Sequence, residues 1–313
     1  MVTNNFSFLS NDGKTTIHAV KWTPDNGEYH AILQIIHGMV EFIERYADFA
    51  SYLTQKGYMV VGHDHLGHGE SVSDKADWGY FCEEHPSDVL IEDMNKLRSI
   101  IQEENSNIPY FMLGHSMGSF MLRKYLAFYH ENLRGAIIMG TGFIPDNMTK
   151  LALKITKFVG KIKGTKHRSR LIQSLAFGAA YKEYDMTGQH PQNSWLTKDI
   201  DIVKAYHADP KCNFTFTVNG YQGLFEAVNF SCNPENVKKI SQKLPIFIVS
   251  GDKDPVGDLG KGVMNVYNLF KQAGSLDLTY KLYENDRHEI INETDRQIVY
   301  DDILSWMNVR IDT

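Results

Sequence analysis

The pentapeptide Gly114-His115-Ser116-Met117-Gly118 lies between an unbroken apolar run, Tyr110 to Leu113, and an apolar-periodic segment that begins at Met117. Strand, tight turn and helix around a G-x-S-x-G sequence make a nucleophile elbow. Small residues let the strand and helix approach closely, and the turn lifts the serine hydroxyl above the sheet edge. The helix start also offers the Met117 amide to a developing oxyanion. A serine hydroxyl is almost wholly protonated at neutral pH, so Ser116 needs a general base, and that base needs a carboxylate to hold its tautomer. Of thirteen histidines only His288 lies beyond Asp254. It falls in a polar loop after the strand segment Leu278 to Tyr283, which puts its imidazole at the same sheet edge as Ser116. In a Ser, Asp or Glu, His order the acid precedes it, and the run Pro245 to Ser250 leads into Gly251-Asp252-Lys253-Asp254. Spacing prefers neither Asp252 nor Asp254, and either can instead cap a turn. The second oxyanion donor is expected where the strand Ala31 to Ile36 ends in His37-Gly38-Met39. The Met39 amide is the candidate, with Gly38 turning the chain without a side chain in the way.

A rival chemistry is suggested by His63-Asp64-His65-Leu66-Gly67-His68, which approaches the H-x-H-x-D-H motif of binuclear zinc hydrolases. Gly67 stands where that motif requires an aspartate, so a structured loop is expected instead of a metal site. The serine chemistry itself calls for no cofactor and no metal.

These residues need a scaffold that brings distant loops to one edge. Phe6 to Leu9 and Thr16 to Trp22, split by Asn11-Asp12-Gly13, read as an opening antiparallel hairpin. Ala31 to Ile36, Met59 to Gly62, Tyr110 to Leu113, Ala136 to Met139, Ile246 to Val249 and Leu278 to Tyr283 read as strands buried on both faces. Helical patterns alternate with them at Glu44 to Lys56, Pro86 to Glu104, Met117 to His130, Leu259 to Ala273 and Thr294 to Val309. That alternation predicts an α/β fold with a mostly parallel, doubly wound sheet. It lapses from about Pro145 to Pro234, which reads as a helical cap over the carboxyl ends of the strands. The expected organisation is a core of residues 1–144, a cap of 145–234 and a second core segment of 235–313.

The 313-residue chain is 42% hydrophobic and 22% charged, the profile of a folded globular protein, and its formal charge of -6 argues against a nucleic-acid partner. No window approaches the roughly 18 apolar residues of a membrane span, and no secretion signal opens the chain, so a cytoplasmic location is expected. Cys82, Cys212 and Cys232 are far apart and read as buried thiols.

With those motifs in hand, the chain resembles the monoacylglycerol lipase and lysophospholipase branch of the α/β hydrolases. The resemblance rests on His37-Gly38-Met39, Asp64-His65-Leu66-Gly67-His68-Gly69-Glu70-Ser71, Gly114 to Gly118, Gly251-Asp252-Lys253-Asp254 and Arg287-His288-Glu289. It implies the α/β-hydrolase fold, Asp254 as the acid, and Met39 and Met117 as the oxyanion amides. The cap from Ala205 to Phe225, chiefly Tyr206 to Cys212, is similar to bacterial members labelled lysophospholipase.

Between Lys150 and Arg170 there are eight Lys or Arg and no acid. Lys150, Lys154, Lys157 and Lys161 share one helical face, and Leu151, Ile155, Phe158, Val159 and Ile162 the other. The apolar face is expected to cover the pocket; a sharper reading is a transient contact with an anionic membrane surface. The expected activity is serine-dependent hydrolysis of a carboxylic ester, of a small molecule or a single-chain lipid such as a monoacylglycerol or lysophospholipid. The alternatives are a short-chain carboxylesterase, an aminopeptidase-like amidase, or a non-catalytic ligand receptor on the same scaffold. A dehalogenase is not expected, because that chemistry in this fold places a carboxylate where Ser116 stands.

Overall fold

The computed structural model describes residues 1–311. Its strands are β1 (Val2–Leu9), β2 (Thr16–Thr23), β3 (Ala31–Ile36), β4 (Tyr58–His63), β5 (Tyr110–His115), β6 (Leu133–Met139), β7 (Ile246–Gly251) and β8 (Leu278–Tyr283). They form one eight-stranded sheet in the order β1-β2-β4-β3-β5-β6-β7-β8. The opening hairpin pairs Leu9 with Thr16, and β2 joins β4 antiparallel; the remaining pairs are parallel. The hairpin and the predicted strands therefore form, but β8, at the sheet edge, is half-buried where burial on both faces is expected; the fold is that of the α/β hydrolases.

The helices are α1 (Ala47–Thr54), α2 (Pro86–Glu104), α3 (Met117–Tyr125), α4 (Asp146–Lys163), α5 (Arg170–Ala176), α6 (Ile200–Ala208), α7 (Val218–Ser231), α8 (Pro234–Val237), α9 (Lys261–Gln272) and α10 (Arg296–Asn308). The pleat of β3 separates two cores. Ile32 and Ile36 pack with Leu90, Leu122 and Val266 on one face, whereas Ala31, Leu33 and Ile35 pack with Phe49, Leu53 and Ile303 on the other. Gln34, enclosed among the first set, donates to the Met94 carbonyl at 3.1 Å and accepts from the Tyr110 hydroxyl at 2.7 Å, so its amide is satisfied. The three cysteines are free and buried. Among the described residues no helix is long and apolar enough to cross a membrane.

Between β6 and β7 the chain inserts α4 to α8, with no strand among the described residues beyond a single bridge from Asp185 to Ser194. One buried guanidinium ties both roots of this insertion. Arg123 on α3 donates to the Gly142 carbonyl at 3.0 Å, where the chain leaves the core, and to the Ser231 carbonyl at 2.7 Å, where it returns.

The orientation of α4 departs from the sequence reading. Ala152, Thr156 and Gly160 let α4 lie close against α7, so Thr149 and Thr156 are its buried residues. Their hydroxyls bond backwards to the Asp146 and Ala152 carbonyls. The larger residues are turned out to solvent: Met148 and Leu151 are 58% exposed, Phe158 65% and Ile162 61%. Ile155 and Val159 are half-buried against the core.

Candidate active site

A cavity of about 430 Å³ lies between the carboxyl ends of the strands and the insertion, and Met39, Ser116, Met117 and His288 all line it. Ser116 opens α3 with φ 55 and ψ -121, a conformation rare for a residue with a Cβ. Neighbours hold it there: its amide donates to the Met139 carbonyl at 3.0 Å, and its carbonyl accepts from the Ser119 hydroxyl at 2.6 Å. Any side chain at 118 would run into the Ile36 and His37 carbonyls, so glycine is what seats α3 on the end of β3. Met117 is the first residue of α3, and amides in a helix's first turn have no intrahelical acceptor.

Asp254 is fully buried behind His288, with both carboxylate oxygens 3.0 Å from the His288 Nδ1. The carboxylate also accepts from the Ser250 hydroxyl at 3.0 Å and the Val256 amide at 2.8 Å. Asp252 instead accepts from the Asn285 amide at 2.8 Å and caps the turn there. Of the two rivals, Asp254 is the one brought against His288.

The loop carrying Met39 is fixed from beneath. The His37 Nδ1 lies 2.8 Å from the Gly38 carbonyl, which only accepts, so Nδ1 carries the proton. The His37 Nε2 then accepts from the His65 amide at 3.0 Å, which requires the neutral ring. Burial drives its pKa down to about 3, and the neighbouring His68 adds to the effect. Because the Gly38–Met39 peptide is trans, binding its carbonyl to His37 turns the Met39 amide the opposite way. Gly38 is obligatory here, since a Cβ would lie 2.9 Å from the Ser116 Cβ.

A buried ion cluster couples the loops. Glu41 accepts from the Gly38 amide, from the Tyr46 hydroxyl and Arg45 at 3.0 Å each, and from the His115 Nδ1 at 3.1 Å. Arg45 forks onto Glu289 with two bonds of 2.7 Å, while the His115 Nε2 donates to the His288 carbonyl at 3.2 Å. Burial opposes ionisation of Glu41, but His115 and Arg45 outweigh it and hold the carboxyl well below the usual range. Burial likewise works against a charged His115, and Glu41 reverses the balance and raises it. Sequence reasoning missed this cluster; the one local signal was the Glu41/Arg45 i,i+4 spacing beside His37-Gly38.

His63, His65 and His68 are fully buried and pack edge-on, with ring centroids 4.8 Å apart for the first pair and 6.3 Å for the second. Their nitrogens do not converge. Among the described residues the triplets whose donor atoms fall within 4.8 Å of one another are His18, Glu44 and Asp64, and Asp286, Glu293 and Asp295. In the first, His18 pairs with Glu44 at 2.9 Å; the second surrounds the Lys198 ammonium.

The cavity wall is apolar but is not the wall expected. Leu151, Ile155, Phe158, Val159 and Ile162 are absent from it, because α4 turns its small-residue face to α7. Phe120, Phe143, Met148, Leu175, Leu224 and Phe225 serve instead.

Residues 27–295 match the family model described as serine aminopeptidase, S33. The chain is 25% identical to the monoacylglycerol lipase of Mycolicibacterium smegmatis over 96% of this chain and 95% of that one. It is also 25% identical to the monoglyceride lipase of Homo sapiens, covering 93% and 86% respectively. A solved structure of a thermostable carboxyl esterase from Bacillus coagulans in complex with glycerol superposes with a TM-score of 0.89 at 32% identity, covering 99% of each chain. The chain belongs to the serine aminopeptidase S33 family of α/β hydrolases and is monoacylglycerol lipase-like.

Proposed function

We propose that the protein is a serine hydrolase cleaving carboxylic esters of single-chain lipids, with 145–234 as a cap over the site. The observation that carries this reading is an apolar cavity with Ser116 and His288 on its wall and a buried Asp254 at the far nitrogen of the imidazole. As the Ser116 Oγ attacks the ester carbonyl carbon, its proton moves to the His288 Nε2, and the Met39 and Met117 amides receive the oxyanion. The bond to the alcohol oxygen breaks, His288 returns the proton to that oxygen, and an acyl-enzyme remains. Water attacks it by the same route and frees the acid and Ser116. Asp254 holds the His288 Nδ1 proton throughout.

The relatives named as monoacylglycerol lipases favour an acyl chain over a peptide, and so does the wall. An aminopeptidase must hold its substrate's ammonium with a free carboxylate. Of the carboxylates on the cavity wall, Glu41 and Glu289 are engaged by Arg45, which leaves the solvent-exposed Asp258. We also propose that the outward face of α4 and α5 rests on an anionic lipid surface. Met148, Leu151, Phe158, Ile162, Leu171 and Leu175 form an exposed apolar strip flanked by lysines, and Met148 and Leu175 continue into the cavity wall.

The test is a fluorophosphonate label and a panel of p-nitrophenyl esters from acetate to long chains, with monoacylglycerol and lysophosphatidylcholine. The wild-type protein is expected to label at Ser116, and kcat/KM to rise with chain length until the cavity is full, each buried methylene contributing up to about 0.8 kcal/mol. Ser116→Ala should lose labelling and several orders of magnitude in rate while still folding. An unlabelled wild type, or a mutant keeping more than a few per cent of the activity, overturns the assignment; a preference for acetate or an aminoacyl amide overturns the lipid reading.

A further inference from the structure

The segment between Gln192 and Lys198 belongs to the insertion, yet its bonds run to the loop that carries His288. The His288 amide donates to the Trp195 carbonyl at 3.3 Å and the Glu289 amide to the Leu196 carbonyl at 2.7 Å. Arg287 adds three carbonyls of the same segment, bonding Ser194, Gln192 at 3.0 Å and Thr197 at 3.3 Å. Lys198 reaches the buried Asp286 at 2.6 Å, and Glu293 accepts from the Thr197 hydroxyl at 2.9 Å and the Lys198 amide at 2.8 Å. At the centre the Trp195 indole lies against the His288 imidazole, with centroids 4.9 Å apart and the planes at 30°. The imidazole's other aromatic neighbour is His115, at 4.6 Å. Tyr181, also from the insertion, packs edge-on against Trp195 at 5.5 Å.

An imidazole held by one edge to Asp254 is still able to swing about that bond, and it transfers a proton only when Nε2 meets the serine hydroxyl within hydrogen-bond reach. A flat ring laid along its face removes that freedom. We infer that Trp195 is a positioning residue for the base: the docked segment 192–198 fixes the plane of His288, so the insertion completes the catalytic apparatus as well as roofing the pocket. The inference rests on the proposed role of His288. It separates from a plain wall role for Trp195, which also lines the cavity, by where the effect falls. A wall residue alters KM and chain-length preference. A positioning residue alters kcat even for an acetyl ester too short to need the wall.

The experiment compares Trp195→Ala, Trp195→Phe and Arg287→Met with the wild-type protein on p-nitrophenyl acetate. Alongside it run fluorophosphonate labelling rates, thermal unfolding and the low-field proton resonance of the His288 Nδ1. Trp195→Ala is expected to lower kcat and the labelling rate about 10- to 100-fold with KM little changed, the scale of a displaced catalytic group. Its low-field resonance should shift or broaden. Trp195→Phe should restore most of the rate, and Arg287→Met, which keeps the indole but frees the carbonyls, should lie between them. If Trp195→Ala keeps wild-type kcat and labelling on the acetyl ester and changes only KM for long chains, the inference is overturned while the serine mechanism stands. If Trp195→Ala does not fold, Arg287→Met decides: a folded variant with reduced kcat and labelling at unchanged KM supports the inference, and one with wild-type kcat and labelling on the acetyl ester overturns it. A wild-type protein that never labels removes the mechanism itself.

Discussion

The two halves of the insertion are tied to different parts of the core. Residues 192–198 are joined to the His288 loop by backbone hydrogen bonds, a tethered guanidinium and a half-buried Lys198 paired with the buried Asp286. The α4–α5 arm is tied elsewhere: Arg168, between its helices, donates to the Ala76, Trp78 and Thr215 carbonyls, Lys166 pairs with Asp77, and among the described residues none of its hydrogen bonds reaches the His288 loop. It leans on α7 through small residues and half-buried apolar ones, and presents its large apolar side chains and its lysines to solvent. The difference teaches that one inserted stretch is doing two jobs. Under the roles proposed above, its half bonded to the His288 loop acts with the core as part of the catalytic geometry, and its apolar, exposed half meets lipid, where burial of its side chains awaits a surface outside the chain.

The sharpest way to break this comparison is at the core side of the bonded half. Asp254→Asn is expected to reduce kcat by about 10⁴-fold, because the tautomer of His288 is no longer held. Asp252→Asn should leave kcat little changed, since it loses one turn cap. Steady-state kinetics of the two purified variants decide it, and equal losses would dissolve the distinction between a base-holding and a turn-capping aspartate.

A smaller effect tests how dry the core at the end of β4 is. Burial pushes the pKa of His63 to about 3, and neither ring nitrogen has a hydrogen-bond partner among the described residues. Its ordinary value is 6.5, so between these two pH values the unfolded chain carries a proton that the folded chain refuses. Stability from this group is therefore complete above the unfolded value and falls as the pH drops toward the folded one. Near pH 5 the penalty is about 2 kcal/mol. His63→Phe should remove it, so denaturant unfolding at pH 5 and pH 8 should give a variant that resists acid better relative to the wild-type protein. An identical pH dependence in both would mean that the ring is solvated.

The exposed half should respond most weakly. Phe158→Asp is expected to reduce binding to vesicles of phosphatidylglycerol and phosphatidylcholine about tenfold, from lost apolar burial and an added negative charge. Turnover of p-nitrophenyl acetate should not change. Raised salt should weaken vesicle binding of the wild-type protein as lysine attraction is screened. Sedimentation with vesicles measures both; unchanged binding would make the strip an ordinary exposed surface.

Local pattern by itself determined the strand and helix order, the elbow at Ser116 and the position of His288. Each depends on residues near in sequence: an apolar run, small residues at a turn, a polar loop after the last strand. The same locality sets the limits of such a reading. Asp252 and Asp254 both follow β7, and only the packing of the His288 loop decides which carboxylate meets the imidazole. The apolar residues of α4 have a clear helical period, but periodicity does not say which neighbour they face, and the fit of Ala152, Thr156 and Gly160 against α7 turned Phe158 outward. Trp195 and the Glu41, His115 and Glu289 cluster left little trace in the sequence. Their partners lie dozens to hundreds of residues away, and side-chain contact at that separation is created by the fold, which alone brings the insertion, the elbow and the last loop to one edge of the sheet.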